Sequence, residues 1–327
     1  MGIVRQRHVK IAWESPWGWL GSWTILPMTE SEGCSMGLVR EFYETPMEMA
    51  GPARGRMAAE GALARGTLRT PLSRFSAGTL LDMIFKRVSG DLEGYRVAQV
   101  GPVETISCTG MKAGKGRIKS LEVRGQRLGT ATARQSLEGG GQRSGTATTT
   151  RNPASSRSRV SCVGEIVVEM ELVGLGQMLG SGGSESGYAA EGGYALNFAT
   201  FLVDGEAPGT VEGFEITVDN RLARGPFRPD GRALWLVAGR RSVRAEVILG
   251  YESGAHSAAL VNGTRGVFRV ILGRPLGLPG ASATIELPAA VVVEAPITAG
   301  PGEPARQKVT LAADVDANGV DVTWSVG

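Results

Sequence analysis

Between Glu165 and Leu172, one short segment limits what this chain can fold into: Ile166, Val168, Met170 and Leu172 alternate with Glu165, Val167, Glu169 and Glu171. A period of two puts the apolar set on one face of a β-strand and a largely acidic set on the other. Similar runs follow at Tyr194–Val203, Val211–Val218, Ala233–Val237, Ser242–Leu249, Gly266–Leu272 and Ala283–Glu294, with Gly, Pro, Asn or Asp between most of them. Gln307–Val326 is expected to form two strands joined at Asp316–Gly319. Glycine is abundant, 48 of 327 residues, without a strict three-residue period. That excludes a collagen helix and leaves many turns between short strands.

The first half is less regular. Val9–Leu26 holds Trp13, Trp17, Trp19 and Trp23, and Pro16 calls for an edge or a turn there. The tryptophans serve either as interface anchors or as cover for a core edge. Leu38–Met49 and Arg56–Pro71 read as extended segments. Ser76 can cap a short helix over Ala77–Lys86, with Leu80, Leu81 and Ile84 on one face. Val103–Thr109 and Arg117–Arg124 read as strands, the latter with room for a bulge, and Leu175–Leu179 as a second short helix. These runs read as a mainly β fold with at least two short helices.

Two loose echoes run through the chain. Gly116–Arg127 (GRIKSLEVRGQR) parallels Gly209–Arg221 (GTVEGFEITVDNR), and Glu60–Leu63 parallels Val163–Ile166. They suggest two related domains, 1–150 and 151–327, divided at a Gly/Ser/Thr-rich stretch. From Lys112 to Arg159 there are 11 Lys or Arg against only Glu122 and Glu138, whereas the whole chain carries a net charge of +3. The stretch beyond Gly125 reads either as a linker or as a long arm that takes its order from a neighbouring subunit.

Several functions are disfavoured. Cys34, Cys108 and Cys162 are too far apart for a metal motif or a disulfide framework, and His8 and His256 are the only histidines. No apolar signal region is read after Arg5 and Arg7, and no run reaches 18 apolar residues, so no membrane insertion is expected. No nucleophile elbow, zinc-protease pair or Walker loop is read, and Gly174-Leu175-Gly176 only begins a dinucleotide fingerprint. The carboxylates Asp204, Glu206, Glu212, Glu215 and Asp219 are dense enough for a hydrolase pair, but the last three fall in or beside a strand. We therefore expect no enzyme activity, no cofactor and no metal.

From Arg159 onward the chain resembles the tail tube proteins of long-tailed, siphovirus-like phages. VSCVGEIVVEMELVGLGQMLGS is similar to that family's strand leading into a short helix, and GFEITVDNRLA to its outgoing strand and Asn-bearing turn. GRRSVRAEVILGYE, ATIELPAAVVVEAP and the closing QKVTLAADVDANGVDVTWSVG follow in the family's order. MAAEGALARGTL fits the same plan more loosely. The Trp-rich start and the basic stretch depart from it.

The resemblance implies a β-sandwich or barrel-like core, a tail tube fold, with subunits in rings stacked into a tube around a channel that conducts DNA at ejection. The rings would be trimers if the chain carries two tube domains and hexamers if it carries one. Implied partners are copies of the chain, a tape-measure protein and genomic DNA in the lumen, and tail terminator and tail-tip proteins. Assembly in the host cytoplasm precedes incorporation into the virion tail. Candidate lumen residues are Glu165, Glu169, Glu171, Glu212, Glu215 and Asp219. Lys112, Lys115, Lys119, Arg124, Arg127, Arg134, Arg143 and Arg151 are candidates for bridging to the next ring, and Trp13, Trp17, Trp19 and Trp23 for interfaces. Alternative readings are another virion component (terminator, connector or baseplate), a carbohydrate-binding β-sandwich module, or a nucleic-acid binder using the basic stretch. The last lacks interleaved aromatics for base stacking.

Overall fold

Strands dominate because the alternating runs bury one face each. The computed structural model describes residues 8–14, 21–27, 33–45, 56–86, 94–100, 104–121, 165–181, 193–227, 229, 231, 233–273, 282–302 and 304–327. The first strands are β1 (His8–Glu14), β2 (Thr24–Pro27), β3 (Gly33–Thr45) and β4 (Arg56–Pro71), followed by helix α1 (Arg74–Phe85). Then come β5 (Gly94–Val100), β6 (Glu104–Ser120), β7 (Ile166–Gly174), β8 (Gly176–Ser181), β9 (Ala199–Val203) and β10 (Val211–Asp219). A small hairpin of β11 (Ala223–Arg224) and β12 (Leu236–Val237) precedes β13 (Ser242–Gly250) and α2 (Ala255–Asn262). The chain ends with β14 (Arg265–Leu272), β15 (Ala283–Glu294), β16 (Ile297–Thr298), β17 (Arg306–Ala313) and β18 (Thr323–Val326).

Neighbouring strands are antiparallel throughout. One sheet runs β3-β4-β7-β6-β10-β13-β17-β15, so eight strands lie side by side. Two smaller leaves branch from its long strands. The first half of β6 pairs with β5 and β8, and β5 leads on to β1 and β2. The first half of β15 pairs with β14 and β18, and β14 leads on to β9. Among the described residues the sheet stays open, with β3 at one end.

The pairing scheme recurs. β1 pairs with β5 as β9 does with β14; β5 with β6 as β14 with β15; β7 with β4 as β17 with β13; and β4 with β3 as β13 with β10. β6 takes β8 along its first half and β7 along its second, while β15 takes β18 and then β17. A helix follows both β4 and β13. Even a bulge recurs: Ala113 and Lys115 oppose Leu172 and Glu171, and Val292 and Glu294 oppose Leu311 and Thr310. β7 and β8 come after residue 150 yet pair with β4 and β6.

The core lies between the eight-strand sheet and its two leaves. It is a single cluster that includes Leu68, Leu80, Leu81, Ile84, Ile118, Met170, Ile216, Val247, Phe268, Ile285 and Leu311. Each fully buried side chain of this size contributes about 1.5–3 kcal/mol. Gly110 (φ 60°) lets β6 leave its leaf and enter the long sheet; a Cβ there would stand 2.9 Å from the Leu175 side chain. The buried Glu14 carboxylate steadies that bend, accepting from the Gly110 amide at 3.2 Å while pairing with Arg96.

Four readings of local structure need correction. Leu175–Leu179 is not helical: β8 starts at Gly176 and adds to β6, because an open sheet edge satisfies more of its backbone than an isolated turn does. α1 starts earlier than expected, with Ser73 as N-cap and Ser76 accepting from the Ser73 amide at 3.0 Å. The two segments read as Val103–Thr109 and Arg117–Arg124 are not separate strands: β6 runs unbroken from Glu104 to Ser120, and the bulge sits at Ala113/Lys115. The strand read over Tyr194–Val203 begins only at Ala199, after a single tight helical turn at Leu196–Phe198; β17 and β18, by contrast, turn at Asp316–Gly319 as expected. The echoing passages at 116–127 and 209–221 contribute adjacent strands, with Ile118 opposite Ile216.

Candidate assembly face

α1 packs on the core side of the eight-strand sheet. Gly116 of β6 permits that approach, since a Cβ there would lie 3.0 Å from Ile84. The helix end is held by the second half of the chain. Asn220 Nδ2 donates to the carbonyls of Ile84 (3.0 Å) and Ala113 (2.9 Å). The buried Arg241 pairs with Asp321 and donates to the Phe85 carbonyl. Trp324 Nε1 donates to Asp82 at 2.8 Å, and its ring stacks 5.6 Å from Phe85.

The opposite face is charged. Its central row reads Arg69, Glu169, Arg117, Thr217, Arg244, Ala312, one residue per strand across β4, β7, β6, β10, β13 and β17. A second row reads Thr67, Glu171, Lys115, Asp219, Ser242. Acidic strands β7 and β10 therefore flank the basic strand β6. Glu169 lies 3.5 Å from Arg69 and 3.1 Å from Lys119; Arg117 lies 3.7 Å from Glu215. Arg306–Glu212 and Lys308–Glu246 close at 2.6 Å. The bond to Glu246 is the main reason that Lys308 holds its proton more tightly than an ordinary lysine. Half-exposed pairs like these add little stability each, but together they leave a face on which the two signs alternate.

The other candidates are spread out. Glu165 bridges to Ala195 just before β7. Lys112 is buried under the β11–β12 hairpin, where its Nζ donates to the Leu236 carbonyl. Arg124, Arg127, Arg134, Arg143 and Arg151 lie outside the described residues, as do Trp17 and Trp19. Trp13 packs edge-on to Tyr95 at 5.1 Å with the Lys86 ammonium 4.3 Å from its ring, and Trp23 is exposed.

Against the expectation that no nucleophile elbow is present, Gly33-Cys34-Ser35-Met36-Gly37 has the spacing G-x-S-x-G. It runs straight along β3, paired residue by residue with Arg69–Arg65 of β4, and Ser35 bonds the Thr67 hydroxyl at 2.9 Å. An elbow needs a tight strand-to-helix turn, which a straight strand cannot supply. Burial raises the Cys34 thiol to about 12, with a further push from Cys108, and burial raises Cys108 to about 11. Neither thiol is a nucleophile at neutral pH. Among the described residues no group of three or more His, Cys, Asp or Glu is placed to hold a metal, and no helix is long and apolar enough to cross a membrane.

Missed by sequence reasoning are α2 and the buried polar residues Asn220, Arg241 and Asp321. Their signal was only their place beside strand ends. What the fold presents is a sheet with extended faces and open edges, the equipment of a structural β protein. A family model described as phage tail tube protein matches residues 47–326, and the chain belongs to that family. It is thus a structural protein of the virion. No curated protein matches it.

Proposed function

We propose that this chain is the repeating subunit of the phage tail tube, forming stacked rings around a channel that conducts DNA during ejection. Two tube modules are assigned to each chain. One reaches from β1 to β8 and the other from β9 to β18, a later division than the composition suggests. Three chains make a ring. The recurrence of the pairing scheme, bulge included, carries this reading. Each chain supplies eight strands to the wall.

The charged face of the eight-strand sheet lines the channel, with Glu169, Glu171, Glu215 and Asp219 on it. Its paired charges suit DNA passage. Each unpaired Lys or Arg that neutralised a phosphate would release counterions and hold the duplex. Charges already paired within the wall offer little of that attraction. Negative-stain electron microscopy of the purified chain at rising concentration tests the reading. Long hollow tubes with three-fold end views are expected; a closed single ring that never stacks would make the chain a connector instead.

A further inference from the structure

The internal joint between the two halves offers a template for the joint between chains. β6 meets β10 with Lys119, Ile118, Arg117, Gly116 and Lys115 opposite Glu215, Ile216, Thr217, Val218 and Asp219. The recurring scheme gives each of these strands a counterpart at an open end of the sheet. Counting from the shared bulge, Ile118 stands three residues past Lys115 and Ile297 three past Glu294, opposite Val168 and Gln307 respectively. At the other end, the row Leu172–Gly66–Met36 corresponds to Leu311–Ala245–Ile216. Met36 on β3 thus occupies the place of Ile216 on β10.

We propose that the edge formed by β15 and β16 pairs antiparallel with β3 of a second copy, in the register Glu294–Val39, Ala295–Leu38, Pro296–Gly37, Ile297–Met36 and Thr298–Ser35. The register rests on the tube reading and supplies its lateral contact. Exposure agrees with it. Ile118, Ile216 and Val218 at the internal joint are 0% exposed, whereas Ile297 and Leu38 are 47% and 53% exposed. Val39 and Val293 on the same two edges are 44% and 40% exposed. An apolar strand edge left open is a pairing template that natural proteins otherwise blunt.

The backbone is also correctly aimed. The Lys308 amide donates to the Pro296 carbonyl at 3.0 Å, so the proline's missing N–H faces β17 and not the open edge. The polar groups of Ala295 and Ile297 then point outward, as those of Gly116 and Ile118 point to β10. The contact is heterologous, one edge against a different edge, so it repeats from copy to copy, closing into a ring where the rotation allows, and cannot stop at an isologous dimer.

Disulfide trapping reads the register directly. Val39 and Glu294 would face each other as a non-hydrogen-bonded pair, Cα atoms about 4.5 Å apart, within disulfide reach. Within one chain the two edges are seven strand steps of about 4.8 Å apart along the sheet, too far to bridge. The double variant V39C/E294C, oxidised mildly at concentrations where tubes are sought by microscopy, should give a covalent ladder ending in a closed trimer on a non-reducing gel. V39C/T298C, four residues out of register, or about 13 Å, should stay uncross-linked. Tubes without the V39C/E294C ladder, or with equal ladders from both variants, overturn the register and leave the tube reading standing. Neither tubes nor ladder overturns both.

Discussion

α1 and α2 follow corresponding strands, yet their surroundings differ. α1 buries Ser76, Ala77, Leu80, Leu81, Met83, Ile84 and Phe85, whereas α2 buries no residue and shows Val261 at 85% exposure. The difference lies less in the helices than in what stands beside them. Asn220, Arg241 and Trp324, all from the second half, close over the end of α1. α2 instead borders an open cleft lined by Val203, Pro208, Leu249, His256, Ala259 and Gln307. The first helix shows a joint already made within the chain; the second borders the side where our proposal places a neighbour.

Breaking the made joint should cost most. Arg241→Ala leaves Asp321 buried and uncompensated and should destabilise by about 3–5 kcal/mol in urea unfolding. Leu80→Ala should cost about 2–5 kcal/mol through the cavity it leaves, while Val261→Ala on α2 should stay within about 0.5 kcal/mol. Equal losses from these two would erase the contrast between the helices. Asn220→Ala, which orphans two carbonyls, should cost about 1–3 kcal/mol.

The open joint should respond in assembly and not in folding. Ile297→Lys should shift the unfolding midpoint of the isolated chain by no more than about 0.5 kcal/mol yet abolish tubes, whereas Ile118→Lys should prevent folding. The smallest effect is electrostatic. Lys308 has a folded pKa above its ordinary 10.5, so its contribution is complete below that pH and lost as pH rises through the folded value. Lys308→Met should therefore flatten the alkaline limb of the stability curve slightly, since the pair is half exposed.

Much of the strand content was legible. Arg56–Pro71 and Ala283–Glu294 were read with the boundaries the structure has, because alternation and flanking turn residues are local signals. The acidic faces of β7 and β10 were legible for the same reason. Their neighbour was not: that Lys115, Arg117 and Lys119 stand between them depends on β6 pairing with both, across gaps of about fifty and a hundred residues that no periodicity reports. Leu175–Leu179 failed because a short apolar run fits strand or helix alike, and the open side of β6 decided it.

By itself the sequence determined which residues face inward along each strand, since side-chain direction alternates with fixed period and burial follows it. Only the tertiary structure decided strand order, and with it which charges neutralise one another, why Ile118 is core while Ile297 is edge, and where Asn220 and Arg241 become buried caps. Those are properties of neighbours, and antiparallel neighbours far apart in the chain are chosen by the closure of one common core, not by any local preference.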